Sequence, residues 1–258
     1  MKYIYGPVRS RRLGVSLGIS TVPAKVCSFN CVYCDVAKTT ALTGERKEYV
    51  SADEILKELR KFLSTYNKHL DHITFSGFGE PTLNSKIGYM IAEIKEHTNI
   101  PVVVLTNSSL ISRGDVKIDL LQADIVKFTL NAARTDYYKK INQSLDSIKV
   151  EDVIKGIINF RKMFTHELWI EIMLVKGVND YESNYRSLHD ALELIRADKV
   201  HINTVVREPS FGFAKSLNIE ELILAKEIIG NGAELISLRR EVHYHIQSQP
   251  LLQIHRNK

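Results

Sequence analysis

Short runs rich in β-branched and aromatic residues alternate with segments of helical periodicity along most of the chain, and this alternation restricts the fold more than any other feature. The strand-like runs cover residues 72–76, 102–106, 125–130, 168–175, 200–206 and 233–238. Helical patterns cover 51–66, 87–97, 153–163, 185–196 and 219–229. The first of these opens on Ser51-Ala-Asp-Glu54, a capping-box pattern, with Ile55, Leu59 and Phe62 or Leu63 recurring on one face. Strands separated by helices need crossover connections, so neighbouring strands run parallel with helices outside them. About six such units predict an α/β fold, a partial (β/α)6 TIM-like barrel with mainly parallel strands. Functional residues are then expected just after the strands, where the βα loops converge. A length of 258 residues matches one barrel of roughly 250. The expectation is a single domain over 1–258, with an N-terminal extension at 1–22, a β/α core at 23–238 and a tail at 239–258.

Apolar runs such as 102–105 fall far short of the roughly 20 residues a membrane helix needs. The first twenty residues carry Lys2, Arg9, Arg11 and Arg12 and no apolar signal region. A cytoplasmic protein without a membrane partner is expected. All three cysteines fall within eight residues, a clustering that suits metal ligation in a reducing compartment better than a disulfide framework.

That cluster reads Cys27-Ser-Phe-Asn-Cys31-Val-Tyr-Cys34. Three thiolates at this spacing reach three irons of one [4Fe-4S] cubane and leave the fourth iron open to a ligand. A structural zinc ion would need a fourth ligand, and Asp35, His69 and His72 do not stand at ribbon or finger spacing. With aromatic Tyr33 before the last cysteine, the segment resembles the signature of the radical S-adenosylmethionine superfamily. Ser76-Gly-Phe-Gly-Glu-Pro-Thr82 follows the first strand after it, where that superfamily carries a glycine-rich GGEP motif. The resemblance spans nearly all of the chain.

The resemblance implies two cofactors, a [4Fe-4S] cluster and S-adenosylmethionine. One electron cleaves the sulfonium to a 5′-deoxyadenosyl radical, which abstracts hydrogen from a substrate. It further implies Cys27, Cys31 and Cys34 as cluster ligands and the backbone around Tyr33 facing the adenine. Gly77, Gly79 and Glu80 would lie along the methionyl ammonium, with Phe78 where the family has a glycine. Asn107, Thr129 and Asn131 follow strand ends and would touch the ribose or carboxylate; Asn203 lies within a later run. The Lys176-Gly-Val-Asn179-Asp180 turn would bring Gly177 near the adenine. A flavodoxin or ferredoxin is the expected electron donor.

More narrowly, Tyr5-Gly-Pro-Val-Arg9-Ser-Arg11-Arg12-Leu-Gly14 and Ser16-Leu-Gly18 resemble a subgroup related to the wyosine-base synthases of tRNA. Those enzymes carry a second cluster on additional cysteines, and this chain has none after Cys34. Residues 1–50 hold eight bases against three acids, an excess of five that accounts for the whole net charge of +5. Arg9, Arg11 and Arg12 are therefore assigned to an anionic substrate, a tRNA base or other nucleotide first. A peptide or protein substrate, as in maturases and activating enzymes, is the second reading. A non-catalytic iron-sulfur electron carrier is the alternative of another class, and the Gly77-x-Gly79-Glu80 loop argues against it. Trp169 is expected in packing, and His243 and His245, spaced as on one face of a strand, in an exposed structural role with His255, Arg239 and Arg240.

Overall fold

The computed structural model describes residues 1–230 and 232–236. Two strands, β1 (Ile4–Ser10) and β2 (Gly14–Ser20), form an antiparallel hairpin. The short β3 (Val26–Cys27) and β4 (Ala41–Leu42) pair in parallel around the cysteine segment. Then follow α1 (Ala52–Thr65), β5 (His72–Ser76), α2 (Ile87–His97), β6 (Val102–Thr106), α3 (Gly114–Leu120) and β7 (Ile125–Thr129). The described part continues through α4 (Thr135–Asn142), α5 (Val150–Arg161), β8 (Glu167–Leu174), α6 (Glu182–Ile195), β9 (Lys199–Thr204), α7 (Ile219–Ile229) and β10 (Glu234–Leu235).

Among the described residues the main sheet has eight strands in the order β1-β2-β5-β6-β7-β8-β9-β10, and every pairing except β1 with β2 is parallel. This is the expected α/β fold of partial-barrel type. Its first parallel strand is β2, so residues 4–20 build the sheet itself where the sequence pattern suggests an extension. The strands alternate between two faces. Val104, Val126, Phe128, Ile170 and Ile172 are fully buried in the large core shared with the helices. On the other, concave face Leu13, Val103, Ile125 and Trp169 make a small separate apolar cluster, with Leu105 against it. Leu13 comes from the turn between β1 and β2, where Ser10 Oγ accepts the backbone N–H groups of Arg12 and Leu13, each at 3.2 Å. That turn thus fills the end of the concave face where the parallel strands begin.

Helix α1 starts at the expected cap, since Ser51 Oγ accepts from Glu54 N at 3.4 Å. The Glu54 carboxylate does not return to the cap and instead receives the Tyr3 hydroxyl. A complete capping box occurs at α7, between Asn218 and Glu221. Trp169 packs as expected, 3% exposed. Arg239, Arg240, His243, His245 and His255 lie outside the described residues. Among the described residues no helix is long and apolar enough to cross a membrane.

Candidate active site

Residues 76–80 leave β5 through Gly77, whose φ of +106° is a backbone conformation that side-chain-bearing residues rarely adopt. Behind it the chain passes so close to the cysteine segment that a Cβ on Gly79 would lie 2.0 Å from the Val26 carbonyl oxygen. Lys25 N donates to Phe78 O at 2.7 Å and Glu80 N to Val26 O at 3.3 Å, locking the glycine loop to the residues just before Cys27. The two motifs, some fifty positions apart in sequence, are one backbone unit.

The Glu80 side chain is 2% exposed and fully engaged within the protein. Its Oε1 accepts from Thr82 N at 3.0 Å, Thr82 Oγ1 at 2.6 Å and Thr106 Oγ1 at 2.7 Å, and its Oε2 from Asn107 N at 2.7 Å. Burial raises its pKa against these hydrogen bonds. The carboxylate therefore faces the end of β6 and not an open position, so it braces Asn107. The Asn107 amide in turn donates to Ser28 Oγ at 2.9 Å and points at Cys27 Sγ at 3.5 Å. Strand end, glycine loop and first cysteine are joined through this one side chain.

Cys27, Cys31 and Cys34 are all partly exposed free thiols. Lys25 is 6% exposed and places Nζ 3.1 Å from Cys34 Sγ. Burial, reinforced by the charge of Glu80, pushes the Cys27 thiol up to about 11. Burial and the neighbouring Cys27 and Cys34 push Cys31 up as well. The thiols are thus near enough to influence one another. Among the described residues, however, no three His, Cys, Asp or Glu side chains close on a point as a single metal ion requires. Three thiols on one short loop, close enough to affect one another, fit a cubane, which spreads its ligands over three irons. The nearby ammonium and amide donors suit its electron-rich sulfurs.

The Tyr33 phenol accepts from Asn131 Nδ2 at 2.8 Å. Asn131 also donates to Asn142 Oδ1 at 2.9 Å and accepts from Met173 N at 2.8 Å, and it is fully buried. Like Glu80 it is an internal tie: its amide holds Tyr33 and the end of α4. Thr129 and Asn203 stand at the ends of β7 and β9; Asn203 Oδ1 accepts from Thr204 N at 3.0 Å. Gly177 sits at φ +69° with no atom within 4 Å of where its Cβ would be.

The arginines occupy the other end. Ser10 pairs with Gly14 at the start of β2, six residues before Ser20, which stands beside Ser76 and the glycine loop. Six residues of strand span about 20 Å. Arg12 turns into the concave face and forms an ion pair with Glu171. Its guanidinium lies inside the fold and not on an outer surface where a tRNA backbone would run. Arg9 and Arg11 flank the same turn, away from the cysteines.

Several residues of the site carry no motif. Ser210 N donates to Cys34 O at 2.8 Å, Phe211 N to Val32 O at 3.3 Å and Ser210 Oγ to Cys31 O at 3.1 Å, so the segment after β9 covers the cysteine loop. Arg207 pairs with Asp35 at 2.6 Å. On the concave face Lys127 also pairs with Glu171. Lone charges inside the apolar runs of β7 and β8 are the sequence signal that marks those two.

Comparison with known proteins agrees with this geometry. Residues 21–205 match the profile of the Radical SAM superfamily. A protein of Brachyspira hyodysenteriae named GTPase Obg is 40% identical over 226 residues, 88% of this chain, which spans 33% of that protein's length. A UPF0026 protein of Methanocaldococcus jannaschii is 35% identical over 235 residues, 89% of this chain and 73% of its own. Among solved structures, a radical SAM methyltransferase from Sphaerobacter thermophilus superposes with a TM-score of 0.64 at 18% identity, covering 85% of this chain and 65% of that one. The cysteine signature, the glycine loop fastened to it and the profile match establish that the chain belongs to the radical S-adenosylmethionine superfamily, enzymes that bind a [4Fe-4S] cluster and S-adenosylmethionine.

Proposed function

We propose that the protein uses reductive cleavage of S-adenosylmethionine to abstract hydrogen from a substrate held on the concave face of its sheet. The observation that carries this reading is the fastening of the Gly77–Glu80 loop onto Val26 and Cys27. It sets a glycine backbone beside a three-thiol pocket, which suits a ligand bound at once to an open iron and to backbone carbonyls. When bound, the cluster and S-adenosylmethionine supply an electron and a primary carbon radical. The protein's own residues do the rest. Cys27, Cys31 and Cys34 hold iron, Lys25 and Asn107 place positive charge and an amide beside two of the sulfurs, and Glu80 and Asn131 fix the neighbouring strand ends. Gly77, Phe78 and Gly79 offer backbone to the methionyl group, while Thr129 and Asn203 face the substrate side. The electron comes from a carrier such as flavodoxin or ferredoxin.

Transfer of the tRNA reaction is favoured by the likeness of residues 5–18 to the wyosine-related subgroup, but Arg12 is turned inward, away from an outer surface where a tRNA backbone would run. The test is anaerobic reconstitution. The protein should hold about four irons and four sulfides, lose them when Cys27, Cys31 or Cys34 becomes Ala, and release 5′-deoxyadenosine with dithionite and S-adenosylmethionine. A protein that takes up zinc and no iron, or that loads iron without ever releasing 5′-deoxyadenosine, defeats the reading.

A further inference from the structure

Among the described residues the buried charges on the concave face are not balanced. Lys127 on β7 is 3% exposed, and among the described residues its ion pair and that of Arg12 are both made to the single carboxylate of Glu171 on β8. Two cations on one anion leave a surplus positive charge in a place where desolvation makes it costly. The charge of Arg11 reaches Lys127 as well. Of the other acids on this face, Glu167 of β8 pairs with Lys199 at 2.9 Å and accepts from the Trp169 indole, and Glu234 stands opposite His201 on β10, on the far side of His201 from Glu171.

His201 supplies a second, independent observation. It is 3% exposed, its ring packs edge-on against Trp169 at 5.2 Å, and its Nδ1 has no hydrogen-bond partner. The surroundings are open. Leu105, Thr129, Glu171 and Met173 on the concave face are all partly exposed, whereas Val104, Phe128 and Ile172 on the opposite face of the same strands are fully buried. The opening lies toward the cysteine segment: Glu171 pairs with Thr129, two residues before Asn131, whose amide holds Tyr33, and the charge of Glu171 is felt at the Tyr33 phenol.

We propose that Lys127 and Arg12, held apart by Glu171 and flanked by His201, form a seat for an oxyanion of the substrate, a carboxylate or a phosphate. The inference rests on the radical reading above and names the substrate class that reading leaves open. An incoming oxyanion takes hydrogen bonds from the ammonium and the guanidinium, and supplies the negative charge the cluster of side chains lacks. Glu171 then acts as the occupant's internal competitor and keeps the two cations in place when the seat is empty.

Trp169, the sole tryptophan, lies opposite Lys127 in register and against His201, so its fluorescence reports the seat. The reconstituted protein is titrated anaerobically with propionate and separately with inorganic phosphate, at ionic strength held constant with chloride. A saturable change with one of them is expected, and which one responds identifies the carboxylate or the phosphate as the source. Lys127→Met should weaken it by about tenfold or more, Lys127→Arg should restore most of it, and Glu171→Gln should tighten it. No saturable response to either anion in the unaltered protein overturns the inference, whether or not the variants fold. So does a response that Lys127→Met leaves unchanged. Release of 5′-deoxyadenosine by the same unaltered preparation is scored separately, so failure of the seat and failure of the radical reading are told apart.

Discussion

Replacing Gly79 by Ala adds one methyl group where the glycine loop meets the cysteine segment. The new Cβ would stand 2.0 Å from the Val26 carbonyl oxygen and 2.7 Å from Val22 Cγ2. Ordinary contact begins near 3.4 Å, so the oxygen must retreat by about 1.4 Å. The Val22 methyl can turn aside, but the Val26 oxygen belongs to the peptide that enters Cys27 and already accepts from Glu80 N at 3.3 Å. Overpacking by a methyl group costs about 1–3 kcal/mol where side chains can yield, and a backbone atom puts this case at the upper end. For a protein of this size about 3 kcal/mol lowers the melting temperature by roughly 6–12 °C. The assay is iron and sulfide per chain after anaerobic reconstitution, with thermal melting in parallel. Gly212→Ala serves as control, because nothing lies within 4 Å of its Cβ position. Iron content should fall to less than about half in Gly79→Ala and stay unchanged in the control. A Gly79→Ala protein that loads iron normally and melts within about 2 °C of the parent would refute the argument that this close approach sets the position of Cys27.

Two further outcomes test charges at the site and beneath it. Glu80→Gln sets an amide N–H against Asn107 N–H or against the Thr82 and Thr106 donors, so stability should drop by about 1.5–3 kcal/mol. Binding of S-adenosylmethionine, followed by equilibrium dialysis, should weaken, while iron content holds because no Glu80 oxygen bonds to a cysteine; an unchanged melting temperature would show that the carboxylate is not a brace. Burial, with the charges of Lys127 and Arg12, holds His201 down at about 4, below its ordinary 6.5. The unfolded chain therefore takes up a proton first on acidification, and the stability this contributes is complete above about pH 6.5 and lost as pH falls toward 4, by about 3 kcal/mol at most. Urea unfolding at about pH 7 and about pH 4.5 should show a smaller acid loss in His201→Phe than in the parent, and equal losses would exclude His201 as the source.

The strands β5 to β9 were legible because buried parallel strands are continuous runs of β-branched residues, and those runs coincide with the strands to within a residue or two. The β2 strand escaped because Gly14, Ser16, Gly18 and Ser20 alternate with Val15, Leu17 and Ile19, and glycine and serine are poor strand residues in isolation. Their smallness has a reason visible only in three dimensions: a Cβ on Gly18 would lie 2.1 Å from the Tyr5 ring. Helices α3 and α4, seven and eight residues long, are too short to declare a period. At the site, spacing picked out the cysteines, the resemblance to the family picked out the glycine loop with Glu80, and Asn131 stood out as a polar residue after a strand end. Which way their side chains turn depends on neighbours such as Thr106 and Asn142, brought close by strand and helix packing. The same holds for Arg12 and Glu171, which are 159 positions apart and meet only through the order of strands in the sheet.

The cover over the cysteine loop has a consequence for the timing of synthesis. The three cysteines are synthesised first, whereas Ser210 and Phe211, whose hydrogen bonds cover Cys31, Val32 and Cys34, are made about 176 residues later. At 5–20 residues per second that gap is roughly 9–35 s. During it the nascent thiols are reachable from the side that the finished protein closes, and β2 waits equally for β5, its partner from residue 72 onward. Iron delivered to the growing chain meets an open loop, while iron delivered afterwards meets a loop whose backbone residues 210 and 211 already hold. Apoprotein that has completed folding should therefore load more slowly than protein supplied with iron and sulfide during translation, and the difference should shrink when Ser210 and Arg207 are replaced by Ala.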